Sequence, residues 1–258
     1  MAWIRKAVRA VSVLLLLGGL GYVGKYGLAW YTNERMYSQI FDQKELQVIT
    51  DSAVDLDGIG WEFWNDSVLS AFQRENPQCA AVVCIPDTAL HYPVVQTEEE
   101  GGTYYLYRDF NRKKNVNGTI FLDYRCSLET PFNLILYGHN MRNGSMFGTL
   151  KKYVEQEFFQ AHPSVYLNYG QTYKKYDICS VITLSANLQA DQELFRVYDN
   201  PTEEERKDFV ELISKRSIYD TGVEAGTEDE FLMLSTCYYG KSNGRMLIVA
   251  RQDKTFDL

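Results

Sequence analysis

The stretch that decides the fold is FLMLSTCYYGKSNGRMLIVAR, residues 231–251. Two short apolar runs, 231–234 and 246–250, lie on either side of a polar loop that ends in Asn-Gly. Short runs of this kind, rich in branched residues and bounded by turn signals, predict strands with both faces covered. Cys237 ends the first strand and Arg245 opens the second, so a paired hairpin places the thiol and the guanidinium at the same end of a sheet.

A cysteine beside an arginine has a chemical and a purely structural interpretation. A nearby cation stabilises a thiolate, and a guanidinium can hold an oxyanion because it keeps its own proton. A nucleophile with an oxyanion stabiliser is therefore one hypothesis for Cys237 and Arg245. Free cysteine is also among the most buried residue types, so a packing cysteine and a surface arginine explain this stretch alone at least as well.

The composition is that of a globular protein whose body is acidic. The chain has 258 residues, of which 45% are hydrophobic and 23% charged, which fits one domain with extra segments or two small domains. Its net charge is −8, although the charged residues among the first 25 are all basic. An acidic body argues against a nucleic-acid partner.

The cysteine pattern favours neither a zinc site nor a disulfide framework. The chain has five cysteines, and their spacing lacks the closely spaced pairs of a zinc site. Cys79 and Cys84 point to opposite faces of a straight strand and cannot form a disulfide. We interpret Cys79, Cys84, Cys126 and Cys179 as packing residues and Cys237 as the candidate nucleophile, and we expect no cofactor or metal.

The N-terminal segment predicts a membrane anchor. Residues 10–24 are uncharged and mostly apolar, which is short for a span of roughly 17 to 25 residues, but Arg9 and Lys25 could snorkel at its ends. A cleaved signal peptide is the alternative, although no clear small-x-small site follows Gly24. The basic residues before the span predict a single-pass protein with its N-terminus inside the cell and its body outside.

The sequence divides the chain into three expected segments. We expect a cytoplasmic stub and membrane anchor over residues 1–31, a helical linker over 32–60 and the main domain over 61–258. Within this domain, apolar runs and turn signals predict strands at residues 80–85, 91–95, 119–123, 132–137, 165–169 and 173–184. Amphipathic spacing predicts a helix from Trp61 to Phe72 and a second helix that begins at Ser145.

One further helix is predicted in the connection before the cysteine strand. Thr202 and Glu205 form a capping-box pattern ahead of Phe209 and Ile213. The expected class is therefore mostly β with peripheral helices. His139 follows the strand at 132–137, and although a lone histidine is usually an ordinary surface or core residue, a strand end is well placed for chemistry.

Six segments appear in an order that resembles the sortase family. They are YPVVQ (92–96), GTIFLD (118–123), LYGHNM (136–141), SMFGTL (145–150), LSTC (234–237) and RMLIVA (245–250). The resemblance runs from about residue 61 to the end, and the helix inserted before the cysteine strand resembles class B. It implies a closed β-barrel and a membrane-anchored cysteine transpeptidase of Gram-positive bacteria.

The resemblance also implies roles for individual residues. Cys237 would be the nucleophile, His139 the general acid and base, and Arg245 the oxyanion stabiliser. Ser235, Thr236 and Tyr238 flank the nucleophile and are the candidate substrate-binding residues. Two departures from the family pattern are visible: Tyr238 stands where class B members often have an acidic residue, and the strand at 80–84 lacks a tryptophan that the family often carries there, which bears on packing.

The expected partners follow from the same resemblance. They are secreted proteins with a C-terminal sorting motif of the Asn-Pro-x-Thr type and an amine acceptor, either a peptidoglycan precursor or a pilin. Two alternatives differ in kind. A papain-like peptidase or amidase places its cysteine before its histidine, whereas here His139 precedes Cys237. A non-catalytic membrane-anchored binding module would bury Cys237 as an inert thiol, which an alkylating agent would not label.

Overall fold

The fold was analysed in a computed structural model that describes residues 2–41, 66–170, 172–185, 192–196, 200–237 and 244–257. The strands are β1 (Cys79–Cys84), β2 (His91–Val95), β3 (Ile120–Leu122), β4 (Asn133–Tyr137), β5 (Ser164–Tyr169), β6 (Thr172–Ser185), β7 (Phe231–Cys237) and β8 (Gly244–Asp257). The α-helices are α1 (Ala2–Phe41), α2 (Asp66–Glu75), α3 (Gln156–Ala161) and α4 (Glu203–Arg216). Short 3-10 helices lie at Glu99–Gly102, Tyr104–Tyr107, Phe147–Val154 and Glu193–Phe195.

The described strands close into one barrel. Their order around it is β1-β2-β3-β4-β7-β8-β6-β5, and the antiparallel pairing of β1 with β5 completes the circle. Closure leaves no open sheet edge, and the interior is filled by the apolar residues that the predicted strands supply. The expected fold class, a closed β-barrel with peripheral helices, is confirmed.

Strands β4, β7 and β8 form the part of the barrel that matters for the site. β4 runs parallel to β7, with Leu134 opposite Leu232 and Tyr137 opposite Ser235. β8 runs antiparallel to β7 on its other side. Strand β7 is therefore central, and its residues from Phe231 to Thr236 are all buried, which matches the continuous apolar run that marked it as a strand with both faces covered.

The predicted helix before the cysteine strand is α4, and it packs where β4 and β7 begin. Thr202 and Glu205 form the predicted capping box. The ring of Phe209 in α4 lies 5.5 Å from that of Phe132 and 5.2 Å from that of Phe231, in edge-to-face geometry. Such contacts between buried rings add to the stability that area burial provides, so α4 covers the end of the sheet opposite Cys237.

The N-terminal helix is longer than the predicted span. Residues from Trp3 to Gly24 form a helical stretch of 22 residues with mean hydropathy 1.7, none of it buried. By length and composition this stretch can cross a membrane, although a signal sequence passes the same test. The helix continues to Phe41, past residue 31, the expected end of the anchor. The rest of that linker lies outside the described residues, as do Trp61 and Trp64, and both domain boundaries stay predictions.

The helix expected from Ser145 differs in start and type. It begins at Phe147 and is a 3-10 helix, so Ser145 and Met146 precede it. Met146 has φ 51° and ψ −127°, values that no helix residue adopts. The backbone of Met146 instead pairs with that of Asn140 in an isolated antiparallel bridge, which hydropathy spacing cannot reveal.

Candidate active site

Cys237 and Arg245 face each other at the end of the β7–β8 hairpin. They are direct partners in the last pair of the ladder. The Nη1 atom of Arg245 lies 3.5 Å from the Sγ atom of Cys237, and it also donates a hydrogen bond to the carbonyl of Gly244 over 3.2 Å. The two side chains that the sequence placed at the same strand end are thus within contact distance.

His139 reaches the same end of the sheet through the parallel pairing of β4 with β7. Tyr137 lies opposite Ser235, and the next amide, that of Gly138, donates to the carbonyl of Ser235 over 3.2 Å. β4 ends at Tyr137 and β7 ends at Cys237, and the two strands run parallel. The predicted acid–base residue, two residues past β4, and the predicted nucleophile, the last residue of β7, therefore lie at the same end of the sheet.

The imidazole of His139 is held from the side by the 3-10 helix Tyr104–Tyr107. Its Nε2 atom lies 2.7 Å from the carbonyl oxygen of Leu106. A carbonyl can only accept, so Nε2 carries a proton and donates it. The ring of Tyr107 lies 5.8 Å from the imidazole, centroid to centroid. Nδ1 is then the ring nitrogen that can take up and release a second proton.

The backbone around His139 is packed tightly. The carbonyl of His139 accepts from the amides of Met141 and Phe147, over 3.1 and 3.0 Å. A Cβ atom added at Gly138 would lie 2.8 Å from the ring of Phe147, closer than real Cβ contacts occur. Glycine at this position therefore lets the chain pass over a buried ring, and the loop has little freedom to shift the imidazole.

The three candidate substrate-binding residues have different surroundings. Ser235 and Thr236 are 2% and 3% exposed, and the Thr236 hydroxyl donates to the carbonyl of Gly138 over 2.8 Å. Tyr238 lies outside the described residues. A substrate role for these residues stays a prediction, and the contacts seen for Thr236 are with the histidine loop.

The other cysteines differ from Cys237 in burial. Cys79, Cys84, Cys126 and Cys179 are buried, whereas Cys237 is partly exposed. Burial raises the pKa values of Cys79, Cys126 and Cys179 to about 12, which keeps these thiols protonated near neutral pH. Among the described residues no group of three or more histidine, cysteine or acidic side chains could hold a metal ion.

Comparisons with known proteins agree with this geometry. The sortase domain family matches residues 83–253. The chain belongs to the sortase family. It is 29% identical over 239 residues to sortase B of Listeria monocytogenes, a match that covers 91% of this chain and 92% of that protein.

Two solved sortase B structures extend the match to the fold. The sortase B of Clostridium perfringens is 28% identical with a TM-score of 0.66, over 72% of this chain and 99% of that one. The sortase B of Bacillus anthracis in complex with AAEK1 is 28% identical with a TM-score of 0.69, over 88% of this chain and 99% of that one. The protein is therefore a cysteine transpeptidase of the sortase B type, and the predicted family and class are confirmed.

The sequence interpretation of this sortase missed three residues of the site. Leu106 and Tyr107 hold the imidazole, but they lie in an aromatic stretch whose pattern fits no single element. The side chain of Asn140 donates to the carbonyl of Cys237 over 2.7 Å. Asn140 belongs to the segment LYGHNM, and its position directly after His139 was the sequence feature that could have indicated its role.

Proposed function

We propose that this sortase cleaves a C-terminal sorting motif with Cys237 as nucleophile, His139 as general acid and base, and Arg245 as oxyanion stabiliser. The observation that carries the proposal is the 3.5 Å separation between Arg245 Nη1 and Cys237 Sγ at paired positions of β7 and β8. This pair lies at the end of the sheet where β4 leads into the loop of His139. A transpeptidase needs these three functions and no redox step, because one amide replaces another.

The first half of the reaction forms a thioester. The Cys237 thiolate attacks the carbonyl carbon of the scissile peptide bond, and the carbonyl electron pair moves to oxygen. Arg245 donates to that oxygen, which a positioned donor stabilises by roughly 10²- to 10³-fold in rate. The C–N bond then breaks, and His139 gives its proton to the departing amine, a contribution of about 10²- to 10⁴-fold.

The second half transfers the acyl group to an amine. His139, now neutral, takes a proton from the incoming amine as its nitrogen attacks the thioester carbonyl. Arg245 again stabilises the oxyanion. The C–S bond breaks, the thiolate of Cys237 returns, and the product is a new amide. The hydrogen bond from Nε2 to Leu106 keeps the ring oriented while the second nitrogen exchanges the proton.

The proposed substrates are secreted proteins that carry an Asn-Pro-x-Thr type motif, and the proposed acceptor is the amine of a peptidoglycan precursor or of a pilin. This part of the proposal rests on the resemblance of the ordered segments to class B sortases. The apolar helical stretch from Trp3 to Gly24 supports membrane anchoring. The basic residues Arg5, Lys6 and Arg9 before it support an N-terminus inside the cell and a catalytic domain outside.

A peptide assay of the full chain in detergent tests the proposal. Fluorescent peptides with Asn-Pro-x-Thr followed by Asn or Gly are incubated with the protein, with and without an added triglycine amine, and products are identified by mass spectrometry. We expect cleavage after Thr, a new amide when the amine is present, and a thioester on Cys237 in the absence of amine. Cleavage that leaves Cys237 unmodified, or that never yields the amide, would contradict the mechanism.

The same assay separates the rival hypothesis of a binding module. A non-catalytic module would bind the peptide without cleaving it and would leave Cys237 unlabelled by iodoacetamide at neutral pH. The partial exposure of Cys237, against the burial of the other four cysteines, favours the enzyme.

A further inference from the structure

Asn140 links the two predicted catalytic segments through a side-chain hydrogen bond. It follows His139 in the chain, and its Nδ2 atom donates to the carbonyl oxygen of Cys237 over 2.7 Å. The residue is 7% exposed. A side chain on the histidine loop is thus bonded directly to the main chain of the predicted nucleophile.

The bond from Asn140 to Cys237 takes the position that a backbone hydrogen bond would occupy if the parallel ladder of β4 and β7 were longer. The amide of Gly138 donates to the carbonyl of Ser235, one residue beyond the pair of Tyr137 and Ser235. In a regular parallel ladder the next donor lies two residues farther along, so the backbone N–H of Asn140 would donate to the carbonyl of Cys237. In this structure the side-chain amide of Asn140 supplies the hydrogen bond at that place.

The backbone of Asn140 is engaged in another pairing. Asn140 and Met146 form an isolated antiparallel bridge, next to the hydrogen bond from the amide of Phe147 to the carbonyl of His139. Met146 has φ 51°, in the left-handed region that a residue with a Cβ seldom adopts. Such a conformation persists only where its surroundings over-determine it, so the loop has one shape, in which the side chain of Asn140 meets Cys237.

We propose that Asn140 is a positioning residue for the transpeptidase reaction. Its side chain adds one hydrogen bond beyond the last backbone bond between the two segments. This bond holds the loop of His139 in a fixed position relative to Cys237. This role rests on the proposed functions of His139 and Cys237. Without the amide, the carbonyl of Cys237 loses this donor. The bond from the Thr236 hydroxyl to the carbonyl of Gly138 is then the side-chain hydrogen bond that still joins the two segments.

The expected effect is on turnover. A misplacement of about 1 Å between reacting groups can cost roughly 10²-fold in rate, whereas a buried side chain has little surface to offer a substrate. Asn140→Ala should therefore lower kcat roughly 10- to 100-fold and leave KM within about threefold of the wild-type value.

Asn133, the first residue of β4, provides a matched control. It is 3% exposed, and its Nδ2 atom donates to the carbonyl of Arg196 over 2.8 Å. Asn133→Ala removes the same kind of bond from a site remote from Cys237. Both alanine variants should lower Tm by roughly 3 to 8 °C, but Asn133→Ala should keep kcat within about threefold of wild type.

The full-length wild type and the variants are compared by thermal unfolding and by steady-state peptide cleavage. Asn140→Ser replaces Asn140→Ala if the latter shows no cooperative unfolding, because a serine hydroxyl is too short to reach the carbonyl of Cys237. A kcat for the Asn140 variant that equals that of Asn133→Ala at similar Tm would overturn the proposal, and so would a loss confined to KM. Cys237→Ala in the same assay tests the nucleophile separately, since normal turnover there would refute the proposed function and not the hydrogen bond.

Discussion

The guanidinium of Arg245 and the sulfur of Cys237 lie 3.5 Å apart at the last pair of the β7–β8 ladder. Their closeness follows from the antiparallel pairing, which sets Arg245, near the start of β8, opposite Cys237, the last residue of β7. Because both backbones are fixed by the ladder, the cation stays beside the thiol with little loss of side-chain freedom at the moment of reaction. The predictions below depend on this arrangement and on the loop that brings His139 to it.

Cys237→Ala should abolish peptide cleavage, with a loss of at least about 10³-fold, while the protein keeps its fold. Alanine variants of Cys79, Cys84, Cys126 and Cys179 should stay within about threefold of wild type where they fold, because these thiols are buried packing groups. Rates of peptide cleavage and thermal unfolding curves check both statements. Iodoacetamide at neutral pH should label Cys237 alone in the folded protein, and normal turnover of Cys237→Ala would show that the nucleophile is wrongly assigned.

Arg245→Lys should lower kcat and kcat/KM by similar factors, roughly 10²-fold or more, and leave KM nearly unchanged. Lysine keeps the positive charge but lacks the planar fork that can hold an oxyanion and a neighbouring carbonyl together. Arg245→Ala should be at least as damaging. Steady-state kinetics on a cleaved peptide measure the effect. A large rise in KM at constant kcat would instead make Arg245 a residue that docks the substrate.

Gly138→Ala should both destabilise the protein and slow the reaction. The added Cβ would lie 2.8 Å from the ring of Phe147, whose side chain is fully buried, so either the ring or the His139 loop must move. Overpacking of this kind costs roughly 1–3 kcal/mol of unfolding free energy, and a shifted His139 should lower kcat at least about 10-fold. Urea unfolding and peptide cleavage measure the two effects.

Gly226→Ala is the matched control for this substitution. A Cβ atom at Gly226 would meet Asp229 at an ordinary 3.7 Å, so stability should change by no more than about 0.5 kcal/mol and activity should be unaffected. Wild-type kinetics for Gly138→Ala would show that the loop tolerates a different position.

His91 should make the fold sensitive to mild acid. Burial lowers the pKa of His91 to about 4, whereas histidine in an unfolded chain titrates near 6.5. Between these values the unfolded state binds a proton that the folded state does not, so stability is lost as pH falls from about 6.5 to about 4 and then levels off with respect to this group. His91→Gln should lose less of its Tm over that window. Equal pH dependence of variant and wild type, measured by thermal unfolding, would exclude His91 as a source of acid sensitivity.

The N-terminal helix should keep the protein in the membrane with its catalytic domain outside. Protease added to intact cells should then remove the domain, while an epitope placed before Arg5 stays protected inside. The basic residues before the apolar stretch from Trp3 to Gly24 give the physical reason. Replacing Arg5, Lys6 and Arg9 by glutamine is the control and should weaken the orientation. Release of a mature protein into the medium, with a new N-terminus near residue 30, would instead indicate a cleaved signal peptide.

The kinds of element, and several of their ends, could be predicted from sequence because they depend on neighbouring residues. The continuous apolar runs of β4 and β7 are typical of strands covered on both faces. Thr202 and Glu205 lie three residues apart and cap α4 by local hydrogen bonds. The order of short segments from residue 92 to residue 250 was enough to indicate the family, and the hairpin alone was enough to bring Arg245 to Cys237.

Only the tertiary structure decided what surrounds His139. The parallel pairing of β4 with β7 joins segments far apart in the chain, and no local pattern records which strands pair or in what register. The contact of His139 with Leu106 and the side-chain bond of Asn140 to Cys237 join segments that are far apart in the chain. Local sequence therefore indicated which residues are candidates for the chemistry, while long-range packing determined what holds the loop of His139, because the free energy that fixes the loop comes from contacts between distant segments.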